Sequence, residues 1–260
     1  MILKLFITAT LLLTPLLALT GVEIAQKVHD RDEGDNIIAQ MTMTLIDKND
    51  HERARTLKTF TKNKGDDTLK LMFFLSPADV QNTGFLTYDY EDSSRDDDQW
   101  LYLPEIKIVK RIASSDKSSS FMGSDFTYSD MTSKNVEDYT YEIMKEAVVD
   151  GHKTWQMMVT PKSEKTVEET GYTKSIVFVR EDNFVIIQAL HYIKLGDKLK
   201  YMMVTGLEKI DGIWTTTKIQ MTTKKGRNTL HKTVLEFSDV KYNQNLEESF
   251  FTTRTIEKGL

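Results

Sequence analysis

Five basic residues, Arg53, Arg55, Lys107, Lys110 and Arg111, fall on short strand-like runs of a chain whose formal net charge is −5. Gathered at one edge, they make a rim for a phosphate headgroup or an acidic partner, arginine supplying a two-pronged donor that lysine lacks. Spread over a solvated strand face, they only pair with nearby Asp and Glu. Nothing else in the chain has the spacing of a reactive centre. The five histidines, His29, His51, His152, His191 and His231, stand on separate stretches without paired metal-ligand spacing. Gly123-Ser124-Asp125 lacks the form of a nucleophile elbow. Asp96-Asp97-Asp98 lacks the alternation and turn glycine of a calcium loop. The chain reads as non-catalytic, with no metal and no cofactor, and its acidity argues against nucleic acid as a partner.

The elements that must position these residues are mostly strands. Residues 21–31 place Val22, Ile24, Ala25 and Val28 on one face of a short amphipathic helix. After Asp35 the period changes to two, with Met41, Met43 and Leu45 alternating with threonine. Turn signals at Asp150-Gly151, Asp182-Asn183, Asp211-Gly212 and Gly226-Arg227 separate the later runs. About ten or eleven strands with sequential connections follow, the pattern of an antiparallel meander that curls into a barrel. Methionine recurs on these strands, and its flexible, polarizable side chain suits either a large core or a pocket that accepts varied shapes. Aromatic residues on the strands raise the same pair of readings.

The stretch 113–139 is too long for an ordinary connection and too apolar for a disordered one. Within it Phe121, Met122, Phe126, Tyr128 and Met131 alternate with Gly123, Ser124 and Asp125, so it folds back either as a lid or as a packed loop. At the start of the chain, Lys4 precedes an apolar run of roughly 15 residues with small residues at its end, shorter than a bilayer span and read as a cleaved signal peptide over residues 1–20. Residues 21–260 are then one soluble, exported domain. Cysteine is absent, so no disulfide staples it and burial must stabilise it.

Residues 99–104, QWLYLP, are followed by the basic Lys107, Lys110 and Arg111 and then by an F-x-GSDF-x-Y-x-D-M segment ending at Met131. This order resembles the outer-membrane lipoprotein-sorting, LolA-like proteins of Gram-negative envelopes, in their longer subgroup. The resemblance extends over most of the chain from Met41, weakens after Val149, and departs from the family at Ser129, where an acidic residue is usual. It implies a half-open, strongly curved antiparallel β-barrel with an N-terminal helix and a lid, enclosing an apolar cavity. The implied activity is periplasmic carriage of a lipid or lipoprotein acyl chain by a monomer, with an RND-type inner-membrane exporter as partner. On that reading Met41, Met43, Leu71, Phe73, Phe85, Trp100, Tyr102 and Met157 are candidates to line the cavity. Phe121, Met122, Gly123, Phe126, Tyr128 and Met131 are candidates for the lid, and the five basic residues for the rim. A non-catalytic interaction module of such an exporter is the alternative.

Overall fold

The computed structural model describes residues 18–194 and 196–260, so most of the expected signal peptide lies outside the described residues. Helix α1 (Gly21–His29) begins at Thr20, whose hydroxyl accepts from the Glu23 amide while the Glu23 carboxylate accepts from the Thr20 amide at 2.7 Å, a reciprocal cap. Ile24 and Ala25 turn inward, whereas Val22 is exposed. Six strands follow: β1 (Asn36–Asp47), β2 (Glu52–Lys64), β3 (Asp67–Ser76), β4 (Gly84–Asp89), β5 (Asp98–Leu103) and β6 (Ile108–Arg111). After the segment 112–138 come β7 (Tyr139–Val149), β8 (His152–Pro161), helix α2 (Glu164–Thr170), β9 (Tyr172–Arg180) and β10 (Ile186–Ile193). The chain finishes with β11 (Lys198–Ile210), β12 (Ile213–Lys225), β13 (Asn228–Tyr242) and helix α3 (Thr253–Lys258).

The strands form one 13-stranded antiparallel sheet in the order β6-β5-β4-β3-β2-β1-β13-β12-β11-β10-β9-β8-β7. The expected meander is present, with two or three more strands than the sequence pattern gives. Strand β4 is buried at nearly every residue, so no polar face alternates with an apolar one along it. Asp150-Gly151 and Asp211-Gly212 take positive φ at both residues, matching hairpin turns to the twist of their strands. At the β9–β10 turn the left-handed residue is Phe184, and Asn183 Oδ1 accepts from the Val185 amide, so β10 starts later than expected.

The sheet is not closed, because β6 and β7 are its two edges. It is nevertheless strongly curved. Gln99 of β5 donates to the Tyr128 carbonyl at 2.9 Å, and Tyr172 of β9 donates to Asp130, two residues further on, at 2.8 Å. Nine strand spacings separate β5 from β9 in the sheet order. A flat sheet would hold them roughly 43 Å apart, while two residues of chain span at most about 7 Å. Both halves must therefore curl around the segment 112–138, which crosses the opening from one edge to the other.

Each half has its own inner packing. Ile24 of α1 lies against Met157, Val177, Val179 and Ala189 on the inner face of β8–β10. The outer face of β3–β5 is covered by the C-terminal segment, with Phe250, Phe251 and Ile256 packed on Phe60, Leu71, Phe73 and Leu86. Here Gly84 is required for close approach: a Cβ on it would stand 2.6 Å from the Ile256 Cβ and 3.0 Å from the Ile256 carbonyl oxygen. Gly84→Ala is expected to push α3 off the sheet and lower stability by about 1–3 kcal/mol, the usual overpacking cost. Denaturant unfolding measures this; an unchanged midpoint would mean that α3 yields freely.

Candidate functional site

Between α1 and the inner face of β8–β12 lies a cavity of about 560 Å³. Its volume falls within the roughly 300–1,000 Å³ typical of small-molecule sites. The apolar wall comprises Ala25 and Val28 of α1 with Met157, Val159, Val177, Ala189, Met202, Val204 and Ile219. Strand alternation explains the wall, since Met157 faces Val177 and Val177 faces Ala189, which faces Met202 across four neighbouring strands. One side opens toward charged residues including Arg31, Glu33 and Asp66, where His29 Nε2 meets Glu91 Oε2 at 3.1 Å.

One end of the cavity is polar and built mainly on the crossing segment. Asp130 Oδ2 accepts from the Tyr172 hydroxyl and from the Thr127 amide, each at 2.8 Å. The Tyr172 ring stacks on His191 at 4.5 Å and 15°, and Ser175 Oγ lies 2.7 Å from His191 Nδ1. Lys134 donates to the Ser129 carbonyl at 2.8 Å and to its hydroxyl at 3.0 Å. Lys200 reaches the Tyr172 hydroxyl at 3.5 Å. Lys70 pairs with Asp89 at 2.6 Å, and the Ser133 amide and hydroxyl also donate to Asp89.

Burial and charge set the protonation states here. Burial pushes His191 down to about 4, so its imidazole is neutral at pH 7 despite the nearby Asp130. Burial also opposes ionisation of Asp130, but Lys134 and Lys200 outweigh it and hold the carboxyl below its ordinary range. The same desolvation lowers Lys134 and Lys200, against the opposing pull of Asp130. Tyr172 is raised, first by burial and then by Asp130.

The inner space of the other half is occupied by the crossing segment itself. Phe121 and Phe126 are buried among Met41, Met43, Leu57, Phe74, Phe85, Leu101, Met221 and Leu235, with Met122, Tyr128 and Met131 packed alongside. The sheet also addresses the segment's backbone: Arg55 donates to the Met122 carbonyl at 2.6 Å, Gln99 to that of Tyr128, and Lys70 to that of Met131 at 3.2 Å. Asp125, 3% exposed, holds the far side, accepting from Thr233 Oγ1 at 2.7 Å and from the Thr223 hydroxyl.

The eight residues expected to line one cavity thus separate. Met157 lines it. Met41, Met43 and Phe85 lie on the inner face beneath the crossing segment. Leu71, Phe73, Trp100 and Tyr102 belong to the outer cluster under the C-terminal segment, because alternation on β3 and β5 sends them through the sheet. Of the expected lid, Gly123 is exposed while Phe121, Met122, Phe126, Tyr128 and Met131 are packed. The five basic residues do not gather into one rim. Lys110 and Arg111 are adjacent on β6 and so face opposite ways; Lys110 lies 3.8 Å from Asp116, and Arg111 pairs with Asp98. Arg53 and Lys107 are exposed, and Arg55 is turned to the segment. The polar end, with Lys134, Tyr172, His191 and Lys200, was not legible as a group. Its one sequence signal was Asp130 in the Y-x-D-M motif; His191 shares the inward register of Ala189 but is far from Asp130 in sequence.

A family model described only as an uncharacterized protein matches residues 66–258. No curated protein matches the chain. Among solved structures, a DUF1329 family protein from Desulfovibrio piger is 30% identical with a TM-score of 0.82, covering 91% of this chain and 97% of that one. A structure described as an outer-membrane lipoprotein-sorting protein domain from Vibrio parahaemolyticus is 31% identical, also with a TM-score of 0.82, covering 91% and 98%. A LolA superfamily protein from Nitrosomonas europaea shares the fold at 19% identity, with a TM-score of 0.69 over 91% and 99%. By sequence identity over nearly its whole described length and by its open, curved 13-stranded sheet, the chain belongs to the LolA-like, outer-membrane lipoprotein-sorting family.

Proposed function

We propose that this protein is a non-catalytic periplasmic carrier that holds a lipid or lipoprotein acyl chain in the interior cavity and transfers it between components of the cell envelope. The observation that carries this reading is the continuous apolar wall contributed by α1 and β8–β12 around a space of about 560 Å³. A dozen buried methylenes supply roughly 10 kcal/mol gross, which after ordering costs leaves about micromolar retention or better. On this reading residues 21–260 act as one exported domain after removal of the leader. An RND-type inner-membrane exporter is the proposed donor, on the strength of the family resemblance. Among the described residues no helix is long and apolar enough to cross a membrane.

Extraction of purified protein followed by lipid mass spectrometry tests the reading, with a co-purifying amphiphile expected. Ala25 faces the cavity from α1, so Ala25→Trp is expected to fill part of it. Saturable binding of a lipophilic fluorescent probe should fall about tenfold or more, while the fold survives. An extract without lipid, together with probe binding indifferent to Ala25→Trp, would remove the cavity from the mechanism.

A further inference from the structure

The polar end of the cavity holds two half-buried lysines, Lys134 and Lys200, whose ammonium donors are only partly met. Three carboxylates there are engaged at short range, Asp89 by Lys70 and Ser133, Asp130 by Tyr172 and the Thr127 amide, and Asp97 by the Tyr90 amide at 3.0 Å, while Glu169 on the adjoining recess keeps one buried oxygen without a partner. Lys134 and Lys200, by contrast, form no ion pair within 4.0 Å among the described residues. Lys134 spends its ammonium on one carbonyl and one hydroxyl of Ser129, and Lys200 has a single long contact with the Tyr172 hydroxyl. An ammonium has three donors and costs several kcal/mol to desolvate unless those donors are met.

Lys134 also stands where two spaces join. Behind the polar end lies a recess of about 140 Å³, and Ser133, Lys134, Tyr139 and Thr170 line both it and the main cavity. The apolar wall runs from this junction toward α1, so a molecule lying along the cavity has water-avoiding surroundings for its length and unmatched donors at one end. We infer that the cavity selects an amphiphile with an anionic, acceptor-rich head, a carboxylate or a phosphate, whose head sits at Lys134 and whose chain lies along Met157, Val177 and Ala189. The inference rests on the carrier reading and adds to it the class of head and the orientation. His191, neutral and stacked on Tyr172, adds no charge there, so Lys134 is the specificity-determining group, with Lys200 behind it.

The test compares palmitate with the neutral glycerol monoester of the same chain, by displacement of a lipophilic probe from the whole delipidated protein. Palmitate should bind about tenfold more tightly, the worth of one charge-assisted hydrogen bond. Lys134→Met should abolish that preference while leaving the ester's affinity as it was, and Lys134→Arg should keep it. If Lys134→Met fails to fold, Lys134→Arg together with the wild-type preference decides. Lysophosphatidate and inorganic phosphate distinguish the sources of the anion: the lipid should compete and millimolar phosphate alone should not. Equal affinity for acid and ester in the wild type would overturn the head assignment and leave the carrier reading standing. Displacement by phosphate alone would replace it with a free-anion site. Failure of every acyl compound to bind would instead overturn the carrier reading itself.

Discussion

Phe121→Ala is expected to lower the unfolding free energy by about 3–5 kcal/mol, the cost of truncating a fully enclosed aromatic ring. The ring has 0% exposure, although it sits in a connecting segment rather than a strand. It meets Phe85 at 5.0 Å, Tyr128 at 5.5 Å and Phe74 at 6.3 Å between ring centres. The backbone that presents it is closed on itself: the Phe121 amide donates to the Phe126 carbonyl at 2.8 Å, and Met122 and Gly123 take left-handed conformations to turn the chain. Alanine would leave a void bounded by strands β3 and β4, which cannot collapse into it without breaking their ladder. Val148→Ala, at an exposed position on edge strand β7, serves as the control and should stay within about 0.5 kcal/mol. Denaturant midpoints at equal slope measure both. A loss below about 1 kcal/mol for Phe121→Ala would show that the ring leaves its seat readily, as a mobile lid requires, and that the inner cluster does not depend on it.

Asp125→Ala should cost about 3 kcal/mol or more and free the same segment from its far anchor. Its carboxylate accepts hydroxyl donors from Thr223 and Thr233, its own amide donates to Thr233 Oγ1 at 2.9 Å, and His231 Nδ1 lies 3.5 Å away. Hydrogen bonds to an ionised acceptor are worth about 1.5–3 kcal/mol each, and alanine leaves both threonine hydroxyls facing a gap. Asp125→Asn keeps one acceptor oxygen and should lose roughly half as much. Hydrogen exchange separates this from general destabilisation: amides of residues 121–131 should lose protection in Asp125→Ala well before those of β1 and β13. Uniform loss across the sheet would mean that Asp125 supports the whole core and does not latch the segment.

The architecture was readable where a strand has one wet face. In β1, Met41, Met43 and Leu45 alternate with Thr42 and Thr44, and the Asp211-Gly212 turn marks a later hairpin, so the meander is visible directly. In β3, β4 and β5 both faces are buried, one beneath the crossing segment and the other beneath Phe250, Phe251 and Ile256. Periodicity alone cannot say which face is inner, and that is why Leu71, Phe73, Trp100 and Tyr102 were expected in the interior. The basic residues misled for a related reason: nearness in sequence on β6 means opposite faces. The polar end was hidden because Asp130, Tyr172 and His191 come together only once the crossing segment has reached β9 and β10.

The pairing of β1 with β13 has a kinetic consequence. Every other neighbouring pair in the sheet is consecutive in sequence and, apart from the α2-containing link between β8 and β9, joined by a fairly short connection, whereas Ile37 meets Tyr242 and Asp47 meets His231. Hairpins within β1–β6 and within β7–β13 form on the microsecond scale, while joining the two meanders at that seam requires closing a loop of nearly the whole chain. Assembly of the sheet is therefore limited by its most non-local contact, and folding is slow for its size. Until β13 arrives, β1 is paired with β2 alone, and its other edge, along Met41, Met43 and Leu45, is left open. During that interval the nascent protein is at its most prone to associate with copies of itself.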